Sequence, residues 1–201
     1  MSKNNKEDIL LDYALISLIS SKIKVIIIGG GKGGYIKAKS FLQRGCSVYV
    51  LSKEFDEKFK NLRYSKNIIF INESYKKDYI KDKHIVIIST NNPELNNIIK
   101  QDCEENYKLY LMSSDFKEGL FVTPTQRDTR SISIAINTKV GSPKTSVFLA
   151  EKMIKDLSEY DDFVMYVGEV RKMVKEKAND KKLTLEIMEF LNTDDFYFFI
   201  N

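Results

Sequence analysis

The chain is poor in several things, and each scarcity removes a class of function. Cysteine is rare: Cys46 and Cys103 are the only two in 201 residues, they stand far apart, and neither belongs to a C-x-x-C spacing. That excludes a disulfide scaffold and a thiolate metal site. Both fall in apolar-periodic segments, so they read as reduced core residues of a cytoplasmic protein. Histidine is rarer still. His84 is the single one; it precedes a buried strand, at the sheet edge away from the glycines described below. With no second histidine or cysteine beside it, the reading is structural and the expected metal set is none. No apolar run approaches the roughly 20 residues of a membrane helix, and the leading MSKNNKED is polar, without a signal-peptide pattern, so no membrane partner is expected. Charge of one sign is scarce as well. The net charge is +4, the lysines are scattered among acids, and no basic arm or aromatic-basic repeat offers a nucleic-acid platform. A mild positive excess suits an anionic small molecule. The 43% hydrophobic content is enough for a core, at a length that holds one full domain and a smaller appendage.

What is present is concentrated in one stretch, KVIIIGGGKGGYIKAKSFLQRG. Val25 to Ile28 is apolar and β-branched throughout, which reads as a strand buried on both faces. Gly29, Gly31 and Gly34 then fit G-x-G-x-x-G, with Gly30 and Gly33 beside them, so the backbone turns tightly and approaches a pyrophosphate with no Cβ in the way. Tyr35, Ala38, Phe41 and Leu42 recur at helical spacing, which sets the glycines at the positive end of a helix dipole. A second strand, Ser47 to Leu51, completes the context of a dinucleotide-binding unit. One element is missing. The second strand should end in an acid that holds the ribose 2′-hydroxyl, yet this one ends Leu51-Ser52-Lys53, with Glu54 a little late. Ser52 bonds the ribose, or Glu54 folds back to it, or Lys53 favours a 2′-phosphate; NAD against NADP stays open.

Strand and helix signals alternate onward: a short amphipathic piece from Phe55 to Leu62, Ile68 to Ile71, the apolar run after His84, and Leu109 to Met112. This is the pattern of a parallel sheet with right-handed crossovers. Ahead of it, Tyr13 to Ser20 alternates weakly and is expected as a short strand or lead-in. Ser89 to Pro93 reads as a helix start, with a small polar cap and proline near the first helical position. That start shares the carboxyl edge of the sheet with the glycine loop. Thr90 and Asn91 are therefore candidate cofactor contacts, with plain capping an equal alternative for each. From 119 to 137 the period becomes two, a hairpin with its polar turn at Gln126 to Arg130. A hairpin is marginal alone, so it is expected to pair with a second copy or pack on helices. Ser142 and Pro143 open a helix whose expected buried face is Val147, Leu149, Ala150, Met153, Ile154 and Leu157. A second helix carries Phe163, Tyr166, Val167, Val170 and Val174 on one stripe, and a last segment precedes an aromatic tail. Asp115 stands at the end of a sheet strand, where a carboxylate near a nicotinamide can take a proton while hydride leaves to the cofactor. Position alone favours an ordinary solvated turn residue.

Taken together, VIIIGGGKGGYIKAKSFLQRGCSVYV, IISTNNPELNNIIKQDC, LYLMSSDFKEGLFVTP, SISIAINTKVGSP and DFVMYVGEVRKMVKEK resemble the precorrin-2 dehydrogenases of sirohaem synthesis. That family includes stand-alone bacterial enzymes, the N-terminal half of the bacterial sirohaem synthase and a bifunctional yeast dehydrogenase/ferrochelatase. The resemblance implies an α/β fold: a Rossmann-like NAD-binding domain over 1–114, a hairpin dimerisation region over 115–141 and a small helical domain over 142–201. It implies a homodimer that oxidises precorrin-2 to sirohydrochlorin with NAD, and in some members inserts Fe²⁺ afterwards. The family's catalytic aspartate falls on Asp115, and its cofactor contacts fall around Lys32 and Gly33 and around Lys53 and Glu54. Candidate anchors for the polycarboxylate substrate are Lys117, Arg127, Arg130, Lys139, Ser142 and Lys144, each of which is equally an ordinary surface residue. Val147 and Ala150 stand where many members carry arginines. A carrier that binds tetrapyrrole or dinucleotide without turnover is the alternative from another class.

Overall fold

The computed structural model describes residues 11–178 and 180–200. Its chain divides into two compact units, one of Leu15–Thr123 and one built from Pro124 onward together with the residues just before Leu15. The first unit therefore runs past 114. Among the described residues no helix is long and apolar enough to cross a membrane.

The first unit is a five-stranded parallel sheet in the order β3-β2-β1-β4-β5. The strands are β1 (Lys24–Ile28), β2 (Ser47–Leu51), β3 (Ile68–Ile71), β4 (Ile85–Ile88) and β5 (Leu109–Met112). Strand alternation sends β1 side chains to opposite faces, and both faces are covered. Val25 and Ile27 pack with Val48, Val50, Ile85 and Ile87 beneath helix α1 (Lys32–Gln43), through Ala38. Ile26 and Ile28 pack with Val86, Ile88 and Tyr110 beneath helix α2 (Pro93–Glu105), through Ile99 and Cys103. Val25, Ile26 and Ile27 are all 0% exposed, and burial of each such side chain contributes about 1.5–3 kcal/mol.

Two crossovers are shorter than a full helix. The piece expected from Phe55 to Leu62 forms a 3-10 helix over Glu57–Leu62, started by the Asp56 carboxylate, which accepts from the Lys58 N–H at 3.0 Å. Phe59 and Leu62 are its buried residues, three apart, a spacing that three residues per turn place on one face. A second 3-10 turn, Lys77–Ile80, leads into β4. His84 is structural in this setting: its Nδ1 accepts from the Lys24 N–H at 2.9 Å where β1 and β4 begin. Cys46 and Cys103 are free and buried, and burial pushes the thiol of Cys103 up to about 12. The lead-in forms no strand; it stays irregular until a 3-10 turn at Ser20–Lys22.

The second unit holds the hairpin of β6 (Thr125–Asp128) and β7 (Ser133–Ile136), with Arg127 opposite Ile134. Its turn lies at 129–132 rather than at Gln126 to Arg130, because Gln126 and Arg127 are paired in the ladder. The cause lies in helix α4 (Asp161–Lys177). Its first residue, Asp161, accepts from the Thr129 hydroxyl at 2.7 Å, the Ser131 N–H at 2.8 Å and the Arg130 N–H at 3.1 Å. The hairpin packs on helix α3 (Pro143–Ser158). On α3 the buried residues are Ser146 and Ala150, with Ile154 and Leu157 half-buried. Val147, Leu149 and Met153, expected inside, are exposed in the single chain. Helices α5 (Lys181–Phe190) and α6 (Asp194–Ile200) close a small cluster of Val167, Leu191 and Phe196.

The hydroxyls of Ser131 and Thr129 hold the Asp161 carboxyl well below the usual carboxylate range. Because the folded-state value is depressed, Asp161 adds stability above the unfolded value of about 4 and loses it as pH falls further. Asp161→Asn is therefore expected to melt at a lower temperature than the parent at neutral pH. Circular-dichroism melts should show that gap narrowing as pH drops from about 5 toward 3; a gap independent of pH would count against the clamp.

Candidate functional site

The site is built where β1 runs into α1. Gly29 leaves β1 at φ +124°, a left-handed conformation that side chains disfavour, and its N–H donates to the Leu51 carbonyl at 2.9 Å. A Cβ on Gly29 would lie 2.2 Å from the Ser89 carbonyl oxygen, and one on Gly34 would lie 2.1 Å from the Gly29 carbonyl oxygen. The first turn of α1 thus stands directly on the loop. Gly31 differs from both: it is the N-cap of α1 at φ −79°, no side chain caps the helix there, and a Cβ on it would meet nothing within 4 Å. The open space beside Gly31 and the N–H groups of the uncapped first turn form an anion cradle.

A cavity of about 690 Å³ opens from this loop along the carboxyl ends of β1, β2, β3 and β4. Gly29, Gly31, Ser52, Lys53, Glu54, Thr90 and Asn91, all expected cofactor contacts, border it. Lys32, Gly33 and Gly34 do not line its wall; they form the first turn of α1 behind it. The loop after β2 is drawn tightly in, since the Asp56 N–H donates to the Gly30 carbonyl at 2.8 Å. Thr90 also serves the helix: its hydroxyl meets Asn96 Oδ1 at 2.6 Å and accepts from the Asn92 N–H at 3.2 Å. The cap of α2 is Asn92, which accepts from the Leu95 N–H at 3.1 Å. Sequence reasoning missed Asp56, Glu73, Ser74 and Tyr75 on the same wall. The last three follow β3, and the rule that ligands sit at strand carboxyl ends applied to that strand would have found them.

Asp115 lies at the same carboxyl edge, three residues beyond β5, but does not border the cavity. It is exposed and caps the 3-10 turn Phe116–Glu118 by accepting from the Lys117 N–H at 3.0 Å. The remaining candidates belong to the second unit, Lys117 apart. Arg127 pairs with Glu151 through Nε at 2.7 Å and through its terminal nitrogen at 2.6 Å. Arg130 pairs with Asp162, and Lys139 with Asp12 at 2.9 Å. Ser142 opens α3 without capping it, its hydroxyl lying 2.8 Å from that of Thr145. Lys144 is exposed. Among the described residues no three His, Cys, Asp or Glu side chains are grouped to hold a metal ion.

A doubly wound sheet with a glycine cradle at its switch point defines a dinucleotide-binding α/β protein. The profile of a family described as "Putative NAD(P)-binding" matches residues 16–125. The precorrin-2 dehydrogenase of Priestia megaterium is 22% identical over 170 residues, 82% of this chain and 84% of that protein. A "Putative precorrin-2 dehydrogenase" of Methanocaldococcus jannaschii is 30% identical over 172 residues, 81% of this chain and 83% of that one. Siroheme synthase 3 of Aeromonas hydrophila is 24% identical over 166 residues, and the match spans 36% of its length. Among solved structures, SirC, a precorrin-2 dehydrogenase, superposes with a TM-score of 0.71 over 90% of both chains at 20% identity, which shows the shared fold. The chain belongs to this NAD(P)-binding family and, within it, to the precorrin-2 dehydrogenases.

The two glycine environments separate folding from binding. Gly34→Ala, with its backbone collision, should cost about 1–3 kcal/mol or more in denaturant unfolding. Gly31→Ala should cost under about 1 kcal/mol, the loss of a tolerated N-cap residue. Equal costs would mean that Gly31 is packed as tightly as Gly34.

Proposed function

We propose that this chain catalyses the NAD⁺-dependent dehydrogenation of precorrin-2 to sirohydrochlorin in tetrapyrrole synthesis. The observation that carries the reading is the 30% identity to the "Putative precorrin-2 dehydrogenase" of Methanocaldococcus jannaschii over four fifths of both chains. The glycine cradle fits the cofactor. Open space at Gly31 admits a pyrophosphate, the uncapped start of α1 attracts it, and Ser52, Glu54, Thr90 and Asn91 stand along the wall for the rest of the nucleotide. When bound, NAD⁺ supplies the hydride acceptor.

The protein's own part is to hold the substrate and take the proton. Each turnover removes a hydride and a proton from precorrin-2, and in this reading Asp115 is the base for the proton, which it passes to water. Its exposed carboxylate is free of any ion pair among the described residues, so it is available as an acceptor. Lys117, Arg127, Arg130, Lys139 and Lys144 are the proposed anchors for the substrate carboxylates. Arg127 and Arg130 are already paired with exposed carboxylates, and exchanging such a partner for a substrate carboxylate costs little, since exposed pairs contribute only about 0–1 kcal/mol.

The working unit in this reading is a homodimer formed through the hairpin region, 115–141, and the helix after it. Val147, Phe148, Leu149 and Met153 on α3 are 41%, 57%, 38% and 47% exposed, large apolar side chains that a monomer would leave in water. Sedimentation equilibrium should give twice the chain mass, and Phe148→Glu should shift it to one; a parent that sediments as a monomer removes the dimer.

Anaerobic mixing with precorrin-2 and NAD⁺ should produce NADH and the sirohydrochlorin spectrum together. Asp115→Asn should lower the rate at least about 10²-fold, the usual scale for losing a general base, while NAD⁺ binding by calorimetry is kept. Tight binding of precorrin-2 with no NADH formed would instead identify a carrier.

A further inference from the structure

The cavity at the glycine loop carries a charge pattern that dinucleotide binding as such does not require. At the end of β2, where an acid commonly stands, Ser52 takes the place, its Oγ 2.8 Å from where a Gly30 Cβ would be. Three carboxylate residues nevertheless border the same cavity, Glu54, Asp56 and Glu73, against a single cationic residue, Lys53, and no arginine. Two of the three carboxylates are fixed. Asp56 accepts from the Lys58 N–H at 3.0 Å, and Glu73 accepts from Lys76 Nζ at 3.1 Å. Hydrogen bonds from Tyr79 and then Lys76 hold the Glu73 carboxyl below its usual range, so it is ionised at neutral pH. Glu73 reaches this wall because β3 lies beside β2 in the sheet, which brings the loop after β3 to the β2 corner of the carboxyl edge.

NAD and NADP differ in one group, the phosphate on the adenosine 2′-oxygen, which adds about 1.5–2 negative charges at pH 7, as a phosphoserine does. A site that accepts it commonly offers an arginine to the phosphate. We propose that Glu73, assisted by Asp56, rejects the 2′-phosphate and so selects NAD over NADP, in place of an acid at the end of β2, with Ser52 bonding the ribose hydroxyls. The inference rests on the dinucleotide reading above and names the residue that sets its specificity. Glu73 lies outside the glycine motif and outside the strand that usually carries this function. Lys76 is ion-paired with Glu73, so the repulsion this carboxylate adds against a doubly charged phosphate at a partly exposed wall is partly offset, modest and sensitive to salt.

The test is isothermal titration of the whole protein with NAD⁺ and with NADP⁺ separately, without tetrapyrrole, at low and at raised salt. The parent should bind NAD⁺ about tenfold or more tighter than NADP⁺, and Glu73→Gln should shrink that ratio roughly three- to tenfold by tightening NADP⁺. Raised salt should shrink the parent's ratio in the same direction. Circular dichroism checks that the variant is folded, and Glu73→Ala should give the same change of ratio. A parent that binds both nucleotides equally, or a ratio unchanged in both Glu73 variants, overturns the proposal. A preference for NADP⁺ that disappears in Lys53→Ala overturns it in favour of Lys53. If neither nucleotide binds, the dehydrogenase reading falls as well; if NAD⁺ binds selectively but precorrin-2 is not oxidised, only that reading falls.

Discussion

The first turn of α1 rests on the carbonyl of Gly29, and Gly29 in turn rests on the carbonyl of Ser89. Both approaches are closer than any Cβ would allow. This stacking of backbone on backbone fixes where α1 begins relative to β1 and β4, and so fixes which N–H groups face open space. It is possible because the strands beneath are rigid: β1 from Val25 on and all of β4 are buried and paired residue for residue, from Val25 with Ile85 to Ile28 with Ile88. A core of β-branched side chains holds the sheet, the sheet holds the loop, and the loop leaves Gly31 as the position where a ligand rather than protein can fill the space.

The electrostatics of that unit follow from the same placement. Net charge is mildly positive over the whole chain, yet the cavity wall gathers more carboxylates than cations. The two facts are compatible because the uncapped start of α1 attracts an anion through N–H groups, which carry no formal charge. Side-chain charge on the wall is then free to set which nucleotide fits. The proton acceptor proposed for the reaction stands apart from the cavity, after the edge strand β5, a separation suited to a bound cofactor that extends along the carboxyl edge of the sheet.

The second unit is held differently. Its hairpin is too short to be stable alone, and it depends on one buttress, the Asp161 carboxylate at the start of α4, together with packing on α3. Polar contacts fix the turn, while much of the apolar surface on α3 faces outward in the single chain. Ala150 is 0% exposed, so a long side chain at that position would have no room in the single chain.

The amino-acid sequence by itself determined the parallel sheet, the glycine loop and the helix after it. Each is specified by contacts local in sequence: an unbroken β-branched run, glycines at fixed spacing, apolar residues at helical period. It also determined the Ser142-Pro143 helix start and the structural role of His84. It misplaced the hairpin turn by about two to three residues, since the turn is held by Asp161, thirty residues downstream of Ser131, and no local pattern carries that information. It likewise put Val147, Leu149 and Met153 inside, because a helical apolar stripe reads the same whether its cover is the same chain or another. Only the tertiary structure decided that Glu73 and Asp56 share a wall with the glycine loop. Residues distant in sequence meet there because parallel strands all present their carboxyl ends at one edge, and strand order, which periodicity does not encode, chooses the neighbours.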